Sequence, residues 1–521
     1  METSIHLLRG KSSMRTLLLC LAMSAAMTSA AQSSKAIGEA FANTLRHYSV
    51  TETDSLSKIL VKKYGKQPEV LAQLGNAYFR NRELEPAKKL LDLAIERNPK
   101  AAAPLIQYGD IYKYYWNMQN SLDTACIYYR KAIAVEPQNN VSYERMADLY
   151  MFKYKLYGNR QTHADSLRMR HVADSAVTVL NELKRQRPDY PAELELGGIY
   201  NRLGKFRESA EAYSKVRTRL ADYQYNNYAL DYYFLGDYAT GLATAREGQA
   251  KFPDYPLFHR TIMYCLFGQE KYDEALLSYD RLQQSTDSLV SFDYLYAGQM
   301  YLKQGDIANA TKTFDKIYDT HGEFTNDHLK AKRQLLEKYI AGIKAKGKWF
   351  KAADEYAIYI ANKRNRSGYD YYHMADIYRE MTDKDGVTEA DRMAAIAKAD
   401  SIYAIMQREF PDYETTLMHY LRARMTAAMD KDAAVPHYLK LLECVDNPPA
   451  SEDPAAMARR RKAFLTDGYR FLAVYYLHND DTRHAVQYAV KYKEVNPSDT
   501  SLDPILQLAK DTRNPRRRNR R

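Results

Sequence analysis

The chain repeats itself about every 34 residues, and that recurrence narrows its possible folds more than any other feature. Residues 71–99 carry Leu71, Leu74, Gly75, Tyr78, Ala87, Leu91, Ala94 and Pro99. Residues 225–253 carry Tyr225, Tyr228, Ala229, Tyr232, Gly241, Ala245, Gly248 and Pro253 at identical spacing. The scheme returns as Tyr294, Ala297, Gly298, Tyr301, Ala310, Phe314 and Ile317, and again as Tyr469, Leu472, Ala473, Tyr476, Ala485, Ala489, Tyr492 and Pro497. Neighbouring units keep phase: Gly75 to Gly109 is 34 residues, Ala229 to Met263 is 34, and Met263 to Gly298 is 35.

Within each half-unit, large and small residues fall three or four apart and so share one face of a helix. The first small residue (Gly75, Gly109, Gly298) admits a close partner helix. The second (Ala87, Ala310, Ala485) sits where the paired helix crosses. Proline ends the unit because it cannot continue a helix interior. Turns such as Leu203-Gly204-Lys205 and Gln304-Gly305-Asp306 separate the two helices. Each unit is thus a helix–turn–helix whose apolar face is completed only by its neighbours. The expected packing set is Leu74, Gly75, Tyr78, Ala87, Ala229, Tyr232, Gly298, Tyr301, Ala310, Ala473, Tyr476 and Ala485.

This pattern resembles the tetratricopeptide repeat family, with its W-x2-L-G-x2-Y…A-x3-F…P signature, over roughly residues 68–500. Leu or Tyr stands at the first position, where the family often has Trp. Units begin near 68, 102, 140, 190, 222, 256, 291, 333, 368, 415 and 466; the one near 415 is the poorest, carried mainly by Tyr438 and Leu441. The resemblance implies an all-α, right-handed superhelical solenoid of stacked repeats, similar to exported bacterial members of the Bacteroidetes kind. It implies that first helices line a concave groove for protein segments. By position, the groove side chains are Phe79, Arg80, Lys113, Tyr114, Asn226, Tyr233, Arg260 and Tyr264. Aromatic and Arg side chains are the types enriched in binding hot spots. One subgroup clamps a C-terminal carboxylate; Asn76 matches one member of that set, but Ala72 replaces the needed Lys, so chaperone-tail binding is not expected.

Extra residues near 115–124, 151–172 and 381–395 stretch three units, either lengthening helices or folding over the groove. Residues 32–67 read as an amphipathic helical cap before an array over 68–440. The segment 441–465, with Asn447-Pro448-Pro449 and Glu452-Asp453-Pro454, reads as a loop or joint before a last repeat over 466–500. Residues 501–521 read as a closing helix and a basic disordered tail.

The front end carries Arg15, an apolar stretch from Thr16, and small residues before Gln32. Those are the marks of a secretory signal peptide over 1–31, cleaved after Ala31, with Met14 as the expected start. The apolar core is short for a membrane span, which needs about 20 residues. Much of the +11 net charge sits at the ends: residues 1–31 hold +2 and 510–521 hold +6, leaving +3 for the body. A body so near neutral is not a phosphate-binding surface in bulk. The Pro515-to-Arg521 run reads as a solvated tail, as an attachment to an anionic envelope surface, or as a nucleic-acid contact. The 46 tyrosines suit extensive half-buried surface.

Chemistry is sparse. Cys20, Cys126, Cys265 and Cys444 show no metal-ligand spacing and read as packed thiols rather than a disulfide framework. His163 and His171 lie eight apart and read as solvated side chains. The acid pairs Asp273-Glu274 and Asp354-Glu355 read as helix-start residues favoured by the dipole. Asp54-Ser55-Leu56, Asp123-Thr124-Ala125, Asp165-Ser166-Leu167, Asp174-Ser175-Ala176, Asp287-Ser288-Leu289 and Asp400-Ser401-Ile402 recur. They resemble the short O-glycan acceptor motif of exported Bacteroidetes proteins, or serve simply as helix starts. No cofactor, metal or small-molecule substrate is expected. The leading expectation is a non-catalytic protein-interaction scaffold of the bacterial cell envelope, periplasmic or outer-membrane-associated. Its competitors are a cytoplasmic adaptor contacting RNA through the tail and a solenoid enzyme with a groove site.

Overall fold

The computed structural model describes residues 30–158, 163–286, 289–322 and 324–512. Cys20, Asn159, the Asp287-Ser288 pair, and nearly all of the expected export signal and basic tail lie outside them. All regular structure among the described residues is helical. The described residues divide into two compact units, the first ending at Gln269 and the second beginning at Glu270.

In the first unit, Ala30–His47 and Val50–Tyr64 precede a series of helix pairs. These are Pro68–Arg80 with Leu84–Arg97, Ala102–Tyr114 with Ser121–Val135, Asn140–Gly158 with His163–Gln186, Glu193–Arg202 with Phe206–Lys215, and Asp222–Phe234 with Tyr238–Lys251; Leu257–Gly268 ends the unit. The second unit opens with Tyr272–Ser285 and continues with Ser291–Gln304 and Ile307–Asp315, Thr325–Lys344 and Trp349–Asn362, and Gly368–Thr382 and Glu389–Glu409. Thr415–Met429 with Lys431–Asp446 and Pro454–His478 with Thr482–Val495 follow, and Asp503–Thr512 closes it.

The turn inside a repeat is built the same way many times. The backbone N–H groups of Glu83, Lys205, Asp237, Asp306 and Asp481 each donate to the carbonyl of the tyrosine five residues earlier (Tyr78, Tyr200, Tyr232, Tyr301, Tyr476), every bond at 2.9 Å. The residue just before each donor is left-handed: Arg82 (φ 65°), Gly204 (70°), Gly236 (79°), Gly305 (82°) and Asp480 (59°). This is the Schellman closure, which satisfies a carbonyl left over at the helix end. Glycine takes that conformation without steric cost, whereas a residue with a Cβ pays roughly 1–2 kcal/mol.

The small residues work by contact. A Cβ on Gly197 would lie 2.6 Å from the Tyr213 ring, and Gly109 and Gly298 are closed in the same manner by Tyr129 and Phe314. At Gly75 the neighbour is Leu91, whose Cδ2 would stand 3.1 Å away. Tyr129, Tyr213 and Phe314 are wholly buried, as are Leu74, Ala87, Ala229, Ala310, Ala473 and Ala485; Tyr78 is nearly so. Tyr232, Tyr301 and Tyr476 are half-buried. The helix Ala30–His47 lies along Pro68–Arg80, seating Phe41 against Tyr78 at 5.2 Å between ring centroids.

Helix lengths account for two of the stretched units: Asn140–Gly158 with His163–Gln186, and Glu389–Glu409, are long helices. Near 115–124 the helices end at Tyr114 and resume at Ser121, with Asn120 left-handed. The reading of 441–465 as a loop is corrected: Lys431–Asp446 and Pro454–His478 cover most of it, leaving 447–453 between helices. The prolines mark helix boundaries there, with Pro454 at the first helical position, where its missing N–H costs nothing.

Candidate binding site

In the first unit the first helices carry a mixed aromatic and charged strip. Phe79 is half-buried and meets Tyr114 edge-on, with centroids 5.3 Å apart at 90°. Arg80 is exposed, and Tyr114 is 59% exposed. Lys113 is half-buried; burial pulls its ammonium pKa down, while Asp148 and Asp110 oppose that. Asp110 accepts the Tyr129 hydroxyl at 2.7 Å. Burial raises the Glu195 carboxyl, helped by repulsion from Glu144 and Asp148. Acids and bases therefore interleave along Ala102–Tyr114, Asn140–Gly158 and Glu193–Arg202.

Two groove assignments are corrected. Asn226 is 5% exposed, and its Oδ1 accepts the Thr261 hydroxyl at 2.7 Å, so it joins two successive first helices. Tyr264 is 6% exposed, with its ring 5.5 Å from that of Tyr233. Tyr233 also lies 5.7 Å from Tyr238, and Arg260 is half-buried beside them. The repeat phase placed these residues on a first helix. It did not reveal that Asp222–Phe234 and Leu257–Gly268 pack together through Asn226, Tyr233, Thr261 and Tyr264.

A cavity of the second unit contains none of the residues named from the sequence. It encloses about 1010 Å³ between Thr325–Lys344 and Gly368–Thr382, which do not pack against each other along their lengths. Its floor is Tyr356 and Tyr359 of Trp349–Asn362, with centroids 5.3 Å apart. Burial pushes both phenols well above the usual tyrosine range, so they stay neutral hydrogen-bonding groups. One wall carries Asn326, Lys330, Arg333, Glu337 and Ala341, three or four residues apart on one helix face. The opposite wall carries Tyr369, His373, Asp376 and Glu380.

Ion pairs hold this frame. Lys332 binds Asp315 at 2.7 Å with both side chains under a tenth exposed, and the Arg364 backbone N–H donates to Asp315 at 2.6 Å. Lys363 spans both oxygens of Asp370 (2.6 and 2.8 Å), and Lys344 pairs with Glu380 at 2.6 Å. Breaking a buried pair such as Lys332–Asp315 costs several kcal/mol, about 3–5, because it strands a charge. The sequence signal that could have located the cavity is the polar stripe 326, 330, 333, 337 on an unusually long first helix.

Elsewhere the chemistry is that of packing. Cys126, Cys265 and Cys444 are free and buried, and burial pushes the Cys265 thiol up to about 12. Asp273 and Glu274 fall in the first turn of their helix. Asp354 and Glu355 fall in the second turn of Trp349–Asn362, which corrects their reading as helix-start acids. His171 is exposed on His163–Gln186. The Ser55, Ser175 and Ser401 hydroxyls bond carbonyls four residues back in mid-helix, so those triplets are not helix starts; Asp123-Thr124 is in a first turn. Among the described residues, no group of three or more His, Cys, Asp or Glu is placed to hold a metal, and no helix is long and apolar enough to cross a membrane.

Stacked helix pairs, each closed by the next, define an all-α solenoid repeat protein. Residues 68–100 match the family model of the tetratricopeptide repeat. No curated protein matches the chain significantly. Similar solved structures include a tetratricopeptide repeat protein from Parabacteroides merdae, 17% identical, covering 51% of this chain and 98% of its own, with a TM-score of 0.37. PilF of Pseudomonas aeruginosa is 16% identical over 51% of this chain and 96% of its own, at 0.30. Human IFIT1, solved as a dimer with m7Gppp-AAAA, is 14% identical over 79% and 94%, at 0.31.

Proposed function

We propose that this protein is a non-catalytic scaffold of the bacterial cell envelope that holds segments of partner proteins against the faces of its first helices. The observation that carries this reading is the open, side-chain-lined cavity between the first helices Thr325–Lys344 and Gly368–Thr382. A preformed concave site with a tyrosine floor and polar walls suits an extended peptide, which gains shape complementarity without ordering the receptor. The residues before Gln32 act in this reading as the export signal, and the basic C-terminal run adds attraction to an anionic envelope surface.

A photo-crosslinking amino acid placed at Arg80, Tyr114 or Arg333 tests it in cells. The expected result is protein adducts at those positions and none at Lys131 or Lys398, which are exposed on second helices. Adducts to RNA, or equal yields at all sites, would refute it. The mature chain should begin at Gln32 by terminal mass spectrometry.

A further inference from the structure

The cavity in the second unit is electrically polarised along its length. Lys330 and Arg333 are exposed, and neither makes an ion pair or hydrogen bond to a described residue. Glu337, one turn further along, is likewise exposed and unpaired, although Arg333 stands four residues before it. The floor follows the same order: the Tyr359 phenol feels Arg333, and the Tyr356 phenol feels Glu337. Neither phenol hydroxyl hydrogen-bonds to a described residue. The wall opposite ends in Asp376 and Glu380, which are already matched by Arg379 and Lys344. The cavity thus offers two free cations at one end, one free carboxylate at the other, and two phenols between them.

From this we infer that the cavity takes an extended protein segment bearing one acidic and one basic side chain about three residues apart, with an apolar or aromatic residue between them. The spacing follows from helix and strand geometry. Lys330 and Glu337 are seven residues apart, which is about 10 Å of helix at 1.5 Å per residue. An extended chain covers that in about three residues at roughly 3.3 Å each. The acidic group pairs with Arg333 and Lys330, the basic group with Glu337, and the middle residue lies on the Tyr356–Tyr359 floor. A uniformly acidic segment meets Glu337, Asp376 and Glu380, and a uniformly basic one meets Lys330 and Arg333, so single-sign partners are disfavoured. This inference rests on the scaffold reading above but specifies its ligand.

The test uses the full chain and an array of 15-residue synthetic peptides on a Gly/Ser/Tyr background, with one Glu and one Lys placed one to seven positions apart. Binding should peak at separations of three to four and fall at least fivefold at one and at seven. Arg333→Ala should weaken the best peptide about tenfold and leave its Glu→Gln derivative unchanged. Glu337→Gln should weaken the same peptide but not its Lys→Gln derivative. Both positions are exposed, and unchanged circular dichroism excludes misfolding of the variants. Binding independent of spacing, or unaffected by both substitutions, overturns the inference while leaving the scaffold reading standing. If no peptide on the array binds, the inference falls, whereas the crosslinking experiment judges the scaffold reading separately.

Discussion

The first helices of the two units carry similar side chains to opposite ends. Around Asp222–Phe234 and Leu257–Gly268, the Tyr238 and Tyr264 rings each lie within 6 Å of the Tyr233 ring, and Asn226 spends its amide oxygen on Thr261. Around Thr325–Lys344 and Gly368–Thr382, the tyrosines lie on a floor and the charged groups on walls, with about 1010 Å³ between them. Aromatic and charged groups on a first helix are therefore not themselves a site. They become one where the adjoining first helix stands off, and they become packing where it closes in.

Substitutions can break or sharpen this contrast. The largest effect belongs to the rings behind the repeat glycines: Phe314→Ala should cost about 3–5 kcal/mol in urea unfolding, the usual loss for a fully buried aromatic. Tyr356→Ala, on the half-buried cavity floor, should cost far less while weakening peptide capture; equal losses would mean the floor is ordinary core.

Asp231 comes next. It is wholly buried, one oxygen accepts from Asn201 at 2.7 Å, the other has no hydrogen-bond partner, and burial pushes its carboxyl up to about 7. A folded-state pKa above the unfolded value of about 3.9 means that the native state binds the proton more tightly. The penalty for ionising is absent below about pH 4, grows as pH rises, and is complete above about 7. Asp231→Asn should therefore raise the melting temperature at pH 8 and leave it unchanged near pH 4, a stabilisation on the order of 2–4 kcal/mol at the upper end. A pH-independent effect would contradict this.

Asn226→Ala should cost about 1–3 kcal/mol by leaving the Thr261 hydroxyl unpaired, whereas Arg80→Ala should fall within about 0.5 kcal/mol of the parent. If Asn226→Ala abolished partner capture at full stability, the packing assignment would be wrong. Modest effects of opposite sign are expected at the turns: Gly305→Ala should destabilise by about 1 kcal/mol, and Arg82→Gly should stabilise by up to about as much, because both residues occupy the same left-handed position. Thermal melts of the two variants should move in opposite directions.

The repeat grammar was legible because it is local and redundant. Gly298 and Phe314 are sixteen residues apart, Tyr301 and Asp306 five, and each relation recurs often enough to stand out from a single chain. Helix pairing, the turns at Gly204 and Gly305, and the buried role of Ala87, Ala310 and Ala485 all follow from periodicity, because a helical face of that width must be covered. The loop expected over 441–465 failed because prolines that look like breakers also start helices.

The distance between neighbouring first helices was decided in three dimensions. It depends on how long each helix is, and on which ion pairs brace it: Lys332 with Asp315, Lys363 with Asp370, Lys344 with Glu380. Those partners come from different helices or, for Lys363, from the linker before Gly368, and follow no fixed period. Sequence alone therefore determined that the chain is a stack of helix pairs and which residues hold the pairs together. Only the tertiary structure decided which face closed over Tyr264 and which stayed open above Tyr356, because burial is set by the neighbour a residue meets and not by its own place in the repeat.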